Sequence, residues 1–156
     1  MSYVFDNSPL SALFKNYYRG VFRTLWQDFD TLVADGQILS TREVLREIED
    51  SSIDTMRTWA DQNKALFATP TAEEGAFVGR IYQVTHFQQN IELKKLLKGG
   101  RNADPFVIAR AAVTGSTVVT MEQRKDNAAK IPNICEHFEI PCMTLEEFMQ
   151  AEDWNF

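Results

Sequence analysis

Cysteine is scarce in this chain, with two residues, Cys135 and Cys142, among 156. Two cysteines do not make the disulfide framework of a small secreted domain, and no further cysteine or nearby histidine pair completes a zinc-binding set. We therefore expect two ordinary thiols near a late helix and strand. The sequence also lacks the roughly 18 uninterrupted apolar residues that a membrane span requires, and it starts without the basic and apolar stretches of a secretion signal. These absences predict a cytoplasmic protein with no membrane contact.

A glycine-rich phosphate loop is absent as well. Gly99-Gly100 follows a predicted helix, whereas a nucleotide-binding loop follows a strand and opens a helix with further spaced glycines. A serine nucleophile is equally unsupported, because Ser8 and Ser40 are placed to cap helices. No motif connects either serine with His86 or His137. The sequence therefore gives no support to ATP chemistry or to a serine hydrolase.

Basic residues are outnumbered, with 16 lysines and arginines against 22 acidic residues and a net charge of -6. This balance argues against a protein that coats nucleic acid by neutralising phosphates. It is compatible with a pocket of carboxylates whose charge a divalent cation balances. With 156 residues, 44% of them apolar and 24% charged, the chain is expected to form one domain over residues 1–156 that folds alone.

Short β-prone runs alternate with segments of helical periodicity along the chain. This alternation predicts an α/β fold with a mainly parallel sheet covered on both faces, in which ligands bind beyond the carboxyl ends of the strands. The predicted strands are Tyr3–Phe5, Ile38–Leu39, Thr117–Thr120 and Ile140–Met143. The main predicted helices cover about Val21–Ala34, Ala72–Leu97, Pro105–Thr114 and Leu145–Met149.

Two helix starts carry capping signals. Glu43 lies three residues after Ser40, which is the spacing of a capping box. Thr144 is expected to cap the last helix, with Glu147 in its first turn. These signals place the amino ends of both helices.

Three acidic residues are expected at one edge of the sheet. Asp6 ends the first strand and Glu122 lies just past the Thr117–Thr120 strand, so both would face the crevice at the carboxyl edge. Asp104 heads the helix that leads into that second strand, with either Asn102 or Asp104 as the cap. Because a helix antiparallel to its following strand begins at the strand's carboxyl end, the Asp104 carboxylate can reach the same crevice.

Four segments resemble the motifs of PIN domains in order and spacing. They are the opening strand with its acidic turn, the helix with the second acid, the central acidic helix start, and the strand that ends in threonine, any residue and an acid. These correspond to Tyr3–Ser8, Ser40–Ile48, Ala103–Ala109 and Val118–Glu122. The late segments Lys130–Pro132 and Ile140–Cys142 look like one uncharacterised PIN-like subfamily. The resemblance covers nearly the whole chain and implies the PIN-like three-layer α/β/α sandwich.

The resemblance also implies a divalent-metal-dependent ribonuclease. Asp6, Glu47, Asp104 and Glu122 would gather around the metal. Asp6 and Asp104 would be direct ligands, and the two glutamates would complete the site or hold waters. An all-oxygen site without a histidine cluster suits Mg²⁺ or Mn²⁺ rather than zinc. In the implied mechanism, a water acidified by the metal attacks the RNA phosphodiester.

Two positions of this acidic set stay open. Glu43 competes with Glu47 for the second acid, although Glu43 already has a role in the predicted capping box. Glu122 departs from the aspartate that PIN domains more often have at this place, and Asp126 is its alternative. If the departure disables the metal site, the chain is a non-catalytic interaction module that keeps the fold.

Substrates and partners follow from the same resemblance. The only concentrated positive stretch precedes Asp104 and is a candidate for phosphate binding, although the same residues fit a solvated helix face. Many small PIN proteins are toxins of toxin–antitoxin pairs and others act in RNA maturation or decay, and the sequence does not separate these roles. An RNA substrate, an antitoxin-like protein partner and a homodimer are therefore expectations. The positive stretch consists of Lys94, Lys95, Lys98 and Arg101.

Overall fold

The centre of the described part of the protein is a sheet of five short strands, all paired in parallel. The computed structural model describes residues 1–92 and 102–156. The strand order is β3-β2-β1-β4-β5, and β1 pairs with its neighbours through Val4, opposite Leu39 on one side and Val118 on the other. The strands are β1 (Tyr3–Phe5), β2 (Ile38–Thr41), β3 (Phe67–Ala68), β4 (Thr117–Val119) and β5 (Cys142–Met143). The predicted parallel α/β sheet is confirmed.

Helices connect every pair of consecutive strands. In the described residues they are α1 (Asn7–Asn16), α2 (Arg23–Ala34), α3 (Arg42–Glu49), α4 (Asp54–Gln62), α5 (Ala72–Gln83), α6 (residues 88–92), α7 (Asp104–Thr114), α8 (Ile131–His137) and α9 (Leu145–Ala151). Short 3₁₀ turns cover Lys64–Leu66 and Thr85–Phe87. No helix in the described ranges is long and apolar enough to cross a membrane.

The helix predicted over 72–97 is interrupted in the structure. α5 ends at Gln83, and the β-branched Val84 that follows is extended, with ψ at 105°. The 3₁₀ turn after Val84 buries Phe87, so burial of one aromatic ring takes precedence over a continuous helix. Residues 93–101 of the predicted helix and its glycine end lie outside the described residues.

The strand order creates a crevice between β1 and β4. The chain moves outward from β1 to β2 and β3, then returns past β1 to β4 and β5. Right-handed crossovers therefore place the helices between β1 and β3 on one face and those between β3 and β5 on the other. The two sets diverge at the β1–β4 boundary, and in open α/β sheets ligands bind at such a point, beyond the carboxyl ends of the strands.

Aromatic packing anchors β1 in the core. Tyr3 and Phe5 are fully buried and make edge-to-face contacts with Phe148 of α9, with ring centroids 4.7 and 5.0 Å apart. Phe5 also packs on Phe29 of α2. Complete burial of one such side chain stabilises the folded protein by about 1.5–3 kcal/mol. This packing fixes the position of β1 and therefore of its carboxyl end.

The capping predictions met different outcomes. The Ser40–Glu43 capping box is wrong, because β2 extends to Thr41, whose side chain accepts the Val44 N–H and caps α3. Ser40 is instead a buried strand residue whose hydroxyl donates to the Phe5 carbonyl over 2.8 Å. At the last helix, the expected Thr144 cap is confirmed and forms a full capping box with its N3 glutamate.

The start of α7 also differs in detail from the expectation. The cap position belongs to Ala103, and Asp104 is the first helical residue. The Asn102 side chain accepts the Asp104 N–H over 3.2 Å, so asparagine satisfies this helix start and leaves the aspartate carboxylate available for other contacts. At the far end Gly115 adopts φ +67° and closes the helix as predicted.

Candidate metal centre

Asp6 lies at the carboxyl end of β1, next to β4. Its backbone N–H donates to the Val119 carbonyl over 3.0 Å, which continues the ladder between the two strands. The residue is 6% exposed. Although it occupies the cap position of α1, its side chain makes no capping hydrogen bond. The carboxylate therefore does not serve as the side-chain cap of this helix.

Three other acidic side chains act on Asp6. Its pKa is raised to about 7, first by burial and then by the negative charges of Asp104, Glu47 and Glu122, while the N–H of Asn7 opposes the rise. Like charges raise the pKa of a carboxyl only when they lie near it. The structure thus places the other three acids, from the start of α7, α3 and the loop after β4, near enough to the end of β1 to act on Asp6.

Hydrogen bonds from the residue that follows β4 and from α1 hold the Asp6 carboxylate. Oδ2 accepts from the Thr120 hydroxyl over 3.0 Å and from the Ser8 hydroxyl over 3.2 Å. The Thr120 hydroxyl also accepts the Glu122 N–H, and the Ser8 hydroxyl accepts the Met121 N–H. These two hydroxyls tie the acid at the end of β1 to the turn that follows β4.

Asp104 has its own set of supporting side chains. It is 1% exposed, and its Oδ2 accepts from the Asn90 amide of α6 over 3.0 Å. Asn90 Oδ1 accepts from the Asn102 amide, which also donates to the Tyr82 hydroxyl. Burial, followed by the charge of Asp104, raises the pKa of Tyr82 to about 12, so the tyrosine stays protonated beside the carboxylate.

Glu122 lies at the more open side of the crevice. It is partly exposed and lines a cavity of about 490 Å³. One carboxylate oxygen, Oε2, accepts the N–H of Ile131 over 2.9 Å. Ile131 is the first residue of α8, where unsatisfied N–H groups and the helix dipole favour a negative charge. α8 therefore orients this glutamate.

The alternatives that the sequence left open differ in their surroundings. Glu43 pairs with Arg42 over 2.7 Å and with Arg46 over 3.2 Å, and it is absent from the charges that raise the Asp6 pKa. The Asp126 side chain is 84% exposed and pairs with Arg124 over 2.5 Å. Both arrangements favour Glu47 over Glu43 and Glu122 over Asp126 as members of the acidic set. The positive stretch before Asp104 falls outside the described residues.

The donor set fits a hard divalent cation that keeps its waters. Within residues 1–92 and 102–156, no three His, Cys, Asp or Glu side chains form a compact set of metal ligands. Mg²⁺ is typically held by one or two carboxylates together with several waters and substrate phosphates. Asp6 and Asp104 offer such carboxylates in a buried, negatively charged crevice, and a cation there would relieve the repulsion that raises the Asp6 pKa.

Sequence reasoning missed Asn90 and the roles of the two hydroxyls. Asn90 is 2% exposed and also donates to the Ala129 carbonyl, but its position within a polar run of a helix gave no spacing signal. Thr120 was identified as the end of a strand and Ser8 as a helix cap. The threonine two residues before Glu122 was the one available signal, because it belongs to the PIN motif itself.

A known structure shares this architecture. The fold matches a chain in the crystal structure of VapBC2 from Rickettsia felis bound to a DNA fragment from their promoter, with a TM-score of 0.50 and 16% identity, covering 92% of this chain and 97% of that chain. The protein therefore has a PIN-like fold, as its motifs predict. No curated protein matches the sequence. Residues 3–156 match the family described as a domain of unknown function, DUF4411, and the chain belongs to that family.

Proposed function

We propose that this protein is a ribonuclease that uses Mg²⁺ or Mn²⁺ to hydrolyse RNA phosphodiester bonds. The observation that supports the proposal most is the environment of Asp6, whose pKa is raised first by burial and then by three further carboxylates at the crevice between β1 and β4. Buried acids that raise one another's pKa are costly to stability and are concentrated at functional sites. A divalent cation offsets that cost.

The four acids divide into two roles in this proposal. Asp6 and Asp104 bind the cation directly, and their hydrogen bonds from Thr120 and Asn90 fix the direction of each carboxylate. Glu47 and Glu122 hold waters at the edge of the site. A bound divalent cation supplies the acidified water and the charge stabilisation that phosphodiester hydrolysis requires.

A cleavage assay tests the proposal. Structured and single-stranded RNAs are incubated with the purified protein and Mn²⁺, with Mg²⁺, or with a chelator. We expect fragments with either metal and none with the chelator. Intact RNA across all metals and substrates would contradict the proposal.

We also propose an antitoxin-like protein partner. The supporting observations are the fold shared with a chain of VapBC2 and a cavity of about 830 Å³ between α2 and α4, floored by the end of α1. Trp26 and Trp59 line it, and the guanidinium of Arg19 lies 4.1 Å from the Trp26 ring. Nearby Tyr18 and Val21 are 63% and 72% exposed. A groove of this kind suits an amphipathic helix.

Co-expression with the product of an adjacent small reading frame tests the partner. We expect the two proteins to co-purify and the complex to lose RNA cleavage, and we expect Tyr18→Asp to weaken the complex while the isolated enzyme stays active. Light scattering of the purified protein tests the proposed homodimer. Monomeric mass and no captured product would contradict both expectations.

The non-catalytic interaction module is the second candidate, and Glu122 favours it. Its Oε2 is already engaged by the first N–H of α8, a contact that gives the carboxylate a structural role. Binding of Mn²⁺ separates the candidates, since the module has no need of a cation at Asp6. Metal-independent folding together with a lack of cleavage would favour the module.

A further inference from the structure

The cavity of about 490 Å³ that Glu122 lines adjoins the acidic crevice. Its walls come from the loop after β4, from α8, and from the end of β5 with the first turn of α9. The Glu122 N–H donates to the Thr120 hydroxyl, which itself donates to Asp6 Oδ2. Two hydrogen bonds therefore connect the wall of this cavity to the buried acid at the end of β1. An RNA strand whose phosphate lies at the crevice has the cavity beside it.

A guanidinium group with two fixed contacts forms part of the wall. Arg124 Nε donates to Glu136 Oε2, and its Nη1 donates to Asp126 Oδ1, both over 2.5 Å. These contacts orient the guanidinium plane, while 51% of the side chain stays exposed. Unpaired bases of RNA stack on guanidinium planes. Arg124 is therefore suited to stack against a base.

The charges around the cavity favour a base over a phosphate. Among the described residues that line it, Arg124 is the one cationic side chain, against the carboxylates of Glu122, Glu136 and Glu147. A phosphate would meet net repulsion there. Carboxylates are pure hydrogen-bond acceptors, so they suit a neutral ring that carries N–H donors.

Glu147 offers such an acceptor at a fixed position. Its Oε1 accepts the Thr144 N–H over 3.1 Å, and its own N–H donates to the Thr144 hydroxyl over 3.2 Å, so the capping box holds the side chain at the wall. Guanine presents two adjacent donors, N1–H and the 2-amino group, on its Watson–Crick edge. The other bases present a single donor there, next to an acceptor. An acceptor-only carboxylate therefore selects guanine.

Apolar side chains supply the remaining surface for a ring. Pro132, Ile140 and Met143 line the cavity together with the polar groups. Its volume lies within the roughly 300–1,000 Å³ of small-molecule sites, which combine apolar walls with a few placed polar groups. Size, walls and polar groups all fit one base.

We propose that this cavity binds a guanine base of the RNA beside the scissile phosphate, with the ring stacked on Arg124 and its two donors paired to Glu147. The site rests on the proposed ribonuclease function, because it places the base next to the acids assigned to phosphodiester hydrolysis. Arg124 and Glu147 select the substrate and take no part in the chemical step.

Titration with mononucleotides in chelator tests base binding apart from cleavage. GMP, IMP and UMP are added to the full chain, and backbone amide signals are followed by NMR. IMP lacks the 2-amino donor and UMP lacks the purine ring, whereas all three carry the same phosphate. We expect GMP to shift the signals of residues that line the cavity. IMP should bind about tenfold more weakly, and UMP more weakly still.

Variants on the cavity wall test the two assigned contacts. Glu147→Gln removes the carboxylate but keeps the helix cap, because glutamine also serves at the third position of a capping box. We expect about tenfold weaker binding of GMP and no difference between GMP and IMP. Glu146→Gln, at an exposed neighbour outside the cavity wall, is the matched control and should bind like the wild type. Arg124→Lys keeps the charge without the plane and should also weaken GMP binding.

Three results would overturn the guanine site. They are equal affinity of the wild type for the three nucleotides, signal shifts confined to residues outside the cavity, and a preference for GMP that survives unchanged in both Glu147→Gln and Arg124→Lys. If the variants fail to fold, the comparison of GMP with IMP in the wild type decides alone.

An RNA with one guanosine among uridines separates this site from the proposed function. In Mn²⁺, we expect cleavage at a bond next to the guanosine. Cleavage at all bonds alike would contradict the guanine site and leave the ribonuclease standing. Selective binding of GMP without cleavage in any metal would contradict the ribonuclease and leave the base-binding cavity standing.

Discussion

The Thr120 hydroxyl donates to Asp6 Oδ2 over 3.0 Å, from a side chain that is fully buried between β4 and the crevice. The Thr120 hydroxyl oxygen also accepts the Glu122 N–H. One hydroxyl therefore sets the distance between the carboxyl end of β1 and the acidic turn after β4. The functional importance of this arrangement can be tested at each residue.

Thr120→Val removes the hydroxyl and keeps the shape of the side chain. We expect a loss of about 1–3 kcal/mol in the free energy of unfolding, because a buried carboxylate loses a donor, and weaker binding of Mn²⁺. Denaturant unfolding and metal titration measure the two effects. Thr120→Ser restores the hydroxyl and should recover metal binding. If Thr120→Val binds Mn²⁺ as well as the wild type does, the hydroxyl does not position Asp6 for a cation.

The stability of the metal-free protein should depend on pH through Asp6. The pKa of this group rises from its ordinary value of 3.8 to about 7 on folding. Its contribution to the free energy of unfolding is therefore fully present below pH 3.8 and is lost as the pH rises to about 7. The loss is on the order of a few kcal/mol. Unfolding in chelator between pH 4 and 8 measures it.

Asp6→Asn should remove this part of the pH dependence, because the amide does not titrate. The exposed Asp35→Asn is the matched control and should leave it unchanged. An identical pH profile in wild type and Asp6→Asn would show that Asp6 is not the buried titrating acid.

Divalent cations should raise the melting temperature. A cation that binds only the folded protein stabilises it by mass action, by about 2.7 kcal/mol at a hundredfold excess over Kd. We expect Mn²⁺ to raise the melting temperature of the wild type. We expect no such rise in Asp6→Asn. Thermal scans over a metal series provide the measurement. A full shift in the variant would mean that the cation binds elsewhere.

Asn90 should contribute to the stability of the protein, although the sequence around it shows no motif. Asn90→Ala removes donors to Asp104 and to the Ala129 carbonyl, and we expect a cost of about 1–3 kcal/mol. The exposed neighbour Gln89→Ala serves as the control and should change stability by less than about 0.5 kcal/mol. Equal stability of the two variants would contradict a supporting role for Asn90.

The parts of this site that the sequence predicts are those with a local pattern. A β-prone run that ends in Asp6, and the threonine two residues before Glu122, mark strand ends whatever the rest of the chain does. Asn90 had no such pattern, since its partners are 12, 14 and 39 positions away in the sequence. Contacts of that range depend on how α6 and α7 pack, and a single sequence carries no signal for them.

The errors at element ends have physical reasons too. Ser40 satisfies the spacing of a capping box, but its hydroxyl bonds instead to the carbonyl of the neighbouring strand, and Thr41 takes over the cap. Val84 interrupts a pattern that is helical on both sides, because burial of Phe87 favours a tighter turn. In both places tertiary contacts decide between two local conformations that the sequence permits.

Metal-dependent RNA cleavage by Asp104→Asn is the most direct test of the central claim. Asparagine keeps the size of the side chain and its contact surface, but it loses the charge that holds a cation. We expect a folded variant with at least about a hundredfold lower rate, which corresponds to about 2.7 kcal/mol. Asp126→Asn, at an exposed acid of the nearby loop, should cleave like the wild type. Undiminished cleavage by folded Asp104→Asn would contradict the proposed metal centre.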